Sequence, residues 1–92
     1  MPSRTVVVAS ASGLHARPAA LFVAAAAAQP VAVMIRAGGR PAVPASSMLS
    51  VLSLGAGHGA EVTLEADETD GADAALDELA ALLARDLDAT DG

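Results

Sequence analysis

RTVVVASASGLHARPAALFVAAAAA, residues 4–28, changes its period once, and that change decides the fold. From Arg4 to Ser10 the stretch is dominated by β-branched Thr5, Val6, Val7 and Val8, which predicts a strand ended by Ser12-Gly13. From Ala16 to Ala28 the pattern predicts a helix, with Pro18 in its first turn, where a missing N–H costs nothing. Ala19, Phe22, Val23 and Ala26 recur at helical spacing and form the expected core stripe. Arg17, Ala20, Leu21 and Ala24 fall on another side.

The rest of the chain continues the alternation. Val31 to Arg36 reads as a strand with Val31, Val33 and Ile35 on one side. Gly38-Gly39 is a two-residue hairpin signal. Pro41 and Pro44 confine the returning strand to a sheet edge, because proline has no N–H to give a ladder. Ser46-Ser47 is expected to cap a short helix reaching about Ser53 and closed by Leu54-Gly55. Ala60 to Ala66 alternates, with Ala60, Val62, Leu64 and Ala66 inward. Asp70 is the expected cap of a last helix with the stripe Ala72, Ala75, Leu76, Leu79, Leu82, Leu83 and Leu87. The order is βαββαβα. It predicts an α+β two-layer domain spanning residues 1–92, with a four-stranded, mostly antiparallel sheet covered on one face by helices.

Size and composition narrow the function. A 92-residue chain buries about 60–65% of the surface its unfolded form exposes, enough for one core but a poor setting for a deep substrate cleft. A carrier or binding module fits better than a self-contained enzyme, and no cofactor is expected. The chain has no cysteine, which excludes thiol chemistry and agrees with a cytoplasmic setting. The apolar runs are too short for a signal peptide or a membrane span. One aromatic, Phe22, argues against base stacking and hence against nucleic-acid binding. Net charge is -6, and all 11 acids lie from Glu61 onward, while Arg4, Arg17, Arg36 and Arg40 precede it. A carboxylate-free segment suits phosphate and acidic partners; in a short alanine-rich chain it is also what chance composition produces.

Gly13-Leu14-His15-Ala16-Arg17-Pro18-Ala19 carries the chemistry. It sets an imidazole at the residue before a helix, where first-turn N–H groups and the dipole make an anion site. Arg17 adds a permanent planar cation within one turn. Pro18 fixes the start, so the donors near Ala16 and Arg17 are aligned before an anion arrives. The same field disfavours imidazolium, so the free His15 ring is expected to titrate below its ordinary range and to rise once phosphorylated. Helix-terminus effects of about 0.3–1 kcal/mol hold a phosphoryl group without trapping it. A lone histidine beside a helix start is more often a cap or a solvent-facing residue; the surrounding motif distinguishes this one.

On these residues the chain resembles the HPr family, histidine-containing phosphocarriers of the bacterial phosphoenolpyruvate-dependent sugar phosphotransferase system. The resemblance extends to Ser47-Met48-Leu49-Ser50-Val51-Leu52-Ser53-Leu54-Gly55 and Gly59-Ala60-Glu61, and to the element order. It implies an open-faced β-sandwich, four antiparallel strands with three helices on one side. It implies His15 as phosphoryl acceptor on Nδ1 and Arg17 as the residue that stabilises the phosphate. It implies enzyme I as donor, IIA components of sugar permeases as acceptors, and Ala20, Leu21, Ala24, Met48, Leu49 and Leu52 as docking residues. From the residues alone, Met48, Leu49 and Leu52 are either core or an adaptable docking patch. Ser47 matches the serine modified by HPr kinase/phosphorylase in some lineages, though one extra residue in the spacing admits Ser46 as well. A serine before a helix is also an ordinary cap.

His58 sits in a glycine-rich loop and reads as solvated. Two histidines and no cysteine make a metal site an unsuitable expectation. The chain has no lysine and hence no Walker motif. Alternatives to sugar uptake are the same carrier chemistry in a nitrogen-regulatory or dihydroxyacetone-kinase branch, and a non-carrying regulatory module. Retention of His15, Arg17 and Pro18 favours the carrier, and the small apolar patch favours a monomer.

Overall fold

In the computed structural model, residues 2–9, 16–55, 57, 59–67 and 69–85 are described. They form β1 (Ser3–Val7), α1 (Ala16–Ala27), β2 (Val33–Ala37), β3 (Val43–Pro44), α2 (Met48–Ser53), β4 (Glu61–Ala66) and α3 (Ala72–Ala84). The sheet runs β1-β4-β2-β3, every neighbour antiparallel. The expected α+β open-faced sandwich is therefore the observed one.

Strand alternation explains the two faces. Val33, Ile35, Val62, Leu64 and Ala66 are buried and meet Ala19, Phe22, Ala26, Val51, Ala75, Leu76, Leu79 and Leu83 from the helices in one core. On the open face Thr5 and Thr63, paired in register, share a hydroxyl contact of 3.2 Å. Beside them Arg36 Nε donates to Glu65 Oε2 at 3.0 Å. On the covered side, Arg4 reaches from β1 to Asp77 at 2.8 Å and Asp73 at 3.3 Å. These two carboxylates stand four residues apart on one face of α3. The bond it donates to Asp77 is the main reason the Arg4 guanidinium is held above its ordinary range, with partial desolvation opposing it. A raised guanidinium keeps its stabilising charge at every pH below that range, so the pair weakens from the basic side only in extreme alkali. Both acids are exposed, so screening makes the contribution small.

Element ends depart from expectation where a distant partner intervenes. β1 was expected to reach Ser10 but ends at Val7. Val8 N–H still donates to Ala60, but Ala9 N–H turns to the Leu83 carbonyl at the end of α3, 3.1 Å away. β2 starts at Val33, two residues after the expected Val31, because its register against β4 begins at Ala66, the last residue of that strand. The β2–β3 register, Ile35 opposite Val43, centres the connection on Gly39 and makes it longer than a two-residue hairpin. Arg40 N–H closes a turn on the Ala37 carbonyl at 3.2 Å, Gly38 takes φ +57°, and Pro41 offers no N–H with which to resume pairing. As the prolines require, β3 is an edge strand.

The cap of α3 is Gly71, not Asp70. Ala72 N–H bonds to the Thr69 carbonyl at 3.1 Å, and this turn brings the next residue in with φ +89°, which glycine adopts without a Cβ penalty. Asp70 is left exposed, and Asp73 supplies the first-turn carboxylate. Leu87, the last member of the predicted stripe, lies outside the described residues.

Candidate functional site

α1 begins at Ala16 as expected, with Pro18 buried in its first turn and Arg17 exposed. The first-turn N–H groups of Ala16 and Arg17 precede the first intrahelical bond and point out of the leading end, and Pro18 has none to offer. His15 is the next residue upstream in sequence; it and His58 lie outside the described residues. The core stripe of α1 is as predicted, with Ala19, Phe22 and Ala26 buried and Val23 partly so. Ala20, Leu21 and Ala24 are exposed beside Arg17.

α2 packs against α1. Six residues are too few for a helix to hold itself, so it depends on its ends and on one anchor. Val51 is the anchor, fully buried. At the N-terminus Ser47 is extended, with φ -105° and ψ 116°, and its Oγ accepts from Ser50 N–H at 3.4 Å. Ser46 is exposed in the preceding turn. At the C-terminus Arg40 donates from Nη1 to the Leu54 carbonyl at 3.0 Å, a cation at the negative end of a helix. The sequence singled out no role for Arg40; a contact spanning 14 positions leaves no local pattern.

With α2 so held, Leu49 is 82% exposed, Leu52 is 36% exposed, and Leu21 on α1 is 43% exposed. Met48 is half-buried and packs on the core. Of the three apolar residues that read as either core or surface, Leu49 and Leu52 stand at the surface and Met48 spans both. Ser47→Ala is expected to cost about 1 kcal/mol, the typical value for a serine cap. For a domain of this size that lowers the melting temperature by about 4–8 °C. Ser46→Ala is expected to leave it unchanged; thermal unfolding followed by circular dichroism compares the two.

A cleft of about 320 Å³ lies elsewhere, between α1 and α3, lined by Ala25, Glu78, Ala81, Leu82 and Arg85. Gln29, just past the end of α1, donates from Nε2 to Glu78 Oε2 of α3 at 2.8 Å. Among the described residues no three His, Cys, Asp or Glu side chains gather as a metal site, and no helix is long and apolar enough to cross a membrane.

An antiparallel sheet under three helices, with an arginine and a proline in the first turn of α1, is the architecture of small histidine phosphocarriers. Residues 2–85 match the family described as PTS HPr component phosphorylation site, and the chain belongs to the HPr family of phosphocarrier proteins of the phosphotransferase system. It is 53% identical over 89 residues to phosphocarrier protein HPr of Streptomyces coelicolor, covering 96% of this chain and 94% of that one. Phosphocarrier protein HPr of Haloferax volcanii is 49% identical over 81 residues, 87% of this chain and 90% of its own. Among solved structures, phosphocarrier protein HPr from Bacillus anthracis superimposes with a TM-score of 0.82 at 36% identity, over 89% of this chain and 95% of that one. Members of this family are intermediates in a phosphoryl relay and have no independent catalytic turnover.

Proposed function

We propose that His15 accepts a phosphoryl group on Nδ1 from phospho-enzyme I and passes it to IIA components of sugar permeases in the cytoplasm. The observation that carries this is the start of α1 immediately after His15, with Arg17 exposed and Pro18 buried in the first turn. Backbone donors at that end and the guanidinium suit an anion held on the preceding side chain. The partners dock on Ala20, Leu21 and Ala24 of α1 and on Met48, Leu49 and Leu52 of α2. In transfer, the Nδ1 lone pair forms a bond to phosphorus while the donor's phosphorus–nitrogen bond breaks; transfer onward reverses the roles. Ser47 is the proposed site of a second, regulatory phosphorylation by an HPr kinase/phosphorylase, with Ser46 the neighbouring candidate. A phosphate on Ser47 would put negative charge next to the exposed Leu49.

The test mixes the protein with phosphoenolpyruvate and a catalytic amount of enzyme I and reads the intact mass. A gain of one acid-labile phosphoryl group supports the assignment. No gain, with the enzyme I active on another carrier, overturns it.

A further inference from the structure

α2 carries Leu49 and Leu52 outward on six residues, of which only Val51 is buried. One buried side chain does not fix both the tilt and the rotation of so short a helix. The Ser47 cap adds a bond of 3.4 Å, longer than an ordinary hydrogen bond. The other end is held more firmly. There the N–H groups of Leu54 and Gly55 close the last turn on the Val51 and Leu52 carbonyls, at 3.2 and 3.3 Å. The Leu54 carbonyl is left over, and Arg40 Nη1 donates to it at 3.0 Å. A cation on a carbonyl at the negative end of a helix is the stronger kind of cap. Arg40 is itself anchored: its N–H closes the turn after β2 on the Ala37 carbonyl, and Ala37 stands opposite Val62 in the sheet. The guanidinium therefore runs from the end of β2 to the end of α2. Arg4 and Arg36 meet carboxylates, whereas Arg40 is given to this carbonyl.

We propose that Arg40 is a positioning residue for phosphoryl transfer: by holding the Leu54 carbonyl it fixes the angle at which α2 presents Leu49 and Leu52, and it acts through them without touching the partner. The proposal rests on the carrier assignment above. While the end of α2 is tied to the sheet, a partner meets the two leucines in one arrangement. Without the tie, a helix too short to hold itself samples several. The apparent affinity is then divided by the fraction of molecules in the competent arrangement. The reacting end of α1 belongs to another element, so the chemical step is not touched. Arg40 therefore governs how well a partner is bound and not how fast the group moves.

The experiment measures KM and kcat for this protein in phosphoryl transfer from its cognate enzyme I, beside amide hydrogen exchange of the free protein. Arg40→Met keeps the apolar stem and removes the donors. It is expected to raise KM about fivefold, as when about one fifth of the molecules hold the competent arrangement, with kcat within about twofold of the parent. Exchange at the Leu54 and Gly55 amides should quicken by about fivefold or more. Arg40→Lys is expected to restore both, because the contact uses one nitrogen and not a fork. In a background of Leu49→Ala with Leu52→Ala, Arg40→Met should change KM by less than about twofold, since the side chains it positions are gone. A full KM effect in that background overturns the proposal, because Arg40 then meets the partner directly. Faster exchange with an unchanged KM also overturns it and leaves Arg40 as a cap alone. In both cases the parent still transfers and the carrier assignment stands; a parent that transfers nothing removes the assignment and the proposal with it.

Discussion

Phe22→Ala is expected to cost about 3–5 kcal/mol, the range for truncating a fully buried aromatic. A domain of this size holds about 5–15 kcal/mol in total, so the variant sits at the margin of folding. Phe22 is the only aromatic in the chain and is 0% exposed. Its ring fills the core side of α1, and the neighbours on that stripe, Ala19 and Ala26, are too small to close a cavity. The melting temperature should fall by more than about 12 °C. Leu21→Ala, one position away on the outer face, should change stability by less than about 0.5 kcal/mol. Urea unfolding of the two variants beside the parent makes the comparison. A Phe22→Ala loss below about 1 kcal/mol would mean that α1 does not pack on the sheet through this stripe.

That contrast is legible in the sequence alone, since residues three and four apart along α1 share a face whatever the rest of the chain does. The same holds for Val62, Leu64 and Ala66 on β4, and for the edge position that Pro44 forces on β3. What the residues left open depends on partners far along the chain. β1 stops where Ala9 finds the Leu83 carbonyl, more than 70 positions away. The α3 cap passes from Asp70 to Gly71 because a turn closed by the Thr69 carbonyl demands a left-handed residue next, and a preference for aspartate at caps does not encode that turn. Arg40 on Leu54 is a tertiary contact with no periodicity to betray it. Of the candidate site, Arg17, Pro18 and the exposed positions of α1 were legible because helical geometry sorts them. The split of Met48 from Leu49 was not, because a six-residue helix has too few turns to show which side is buried.

His15→Ala is expected to abolish phosphorylation outright, while His58→Ala gains one phosphoryl group as the parent does. Apart from its two imidazoles the chain offers no side-chain nitrogen nucleophile of comparable reactivity: it has no lysine, and arginine stays protonated. Beside His58, hydroxyls and carboxylates are the competing acceptors, and a phosphate on Ser46 or Ser47 would be an ester that survives acid, whereas a phosphohistidine does not. Intact mass before and after brief acid treatment therefore separates three cases. An acid-labile gain lost in His15→Ala and kept in His58→Ala places the acceptor at the start of α1. A labile gain kept in His15→Ala and lost in His58→Ala moves it to the Gly57–Gly59 loop and strips Arg17 of its role. An acid-stable gain kept in both variants means that a hydroxyl carries the group, and a stable ester at the cap of α2 suits a regulatory mark better than a relay. The result for His15→Ala should be a complete loss and not a reduction, because the helix-end donors and Arg17 stabilise a bound phosphoryl group but supply no atom to receive it.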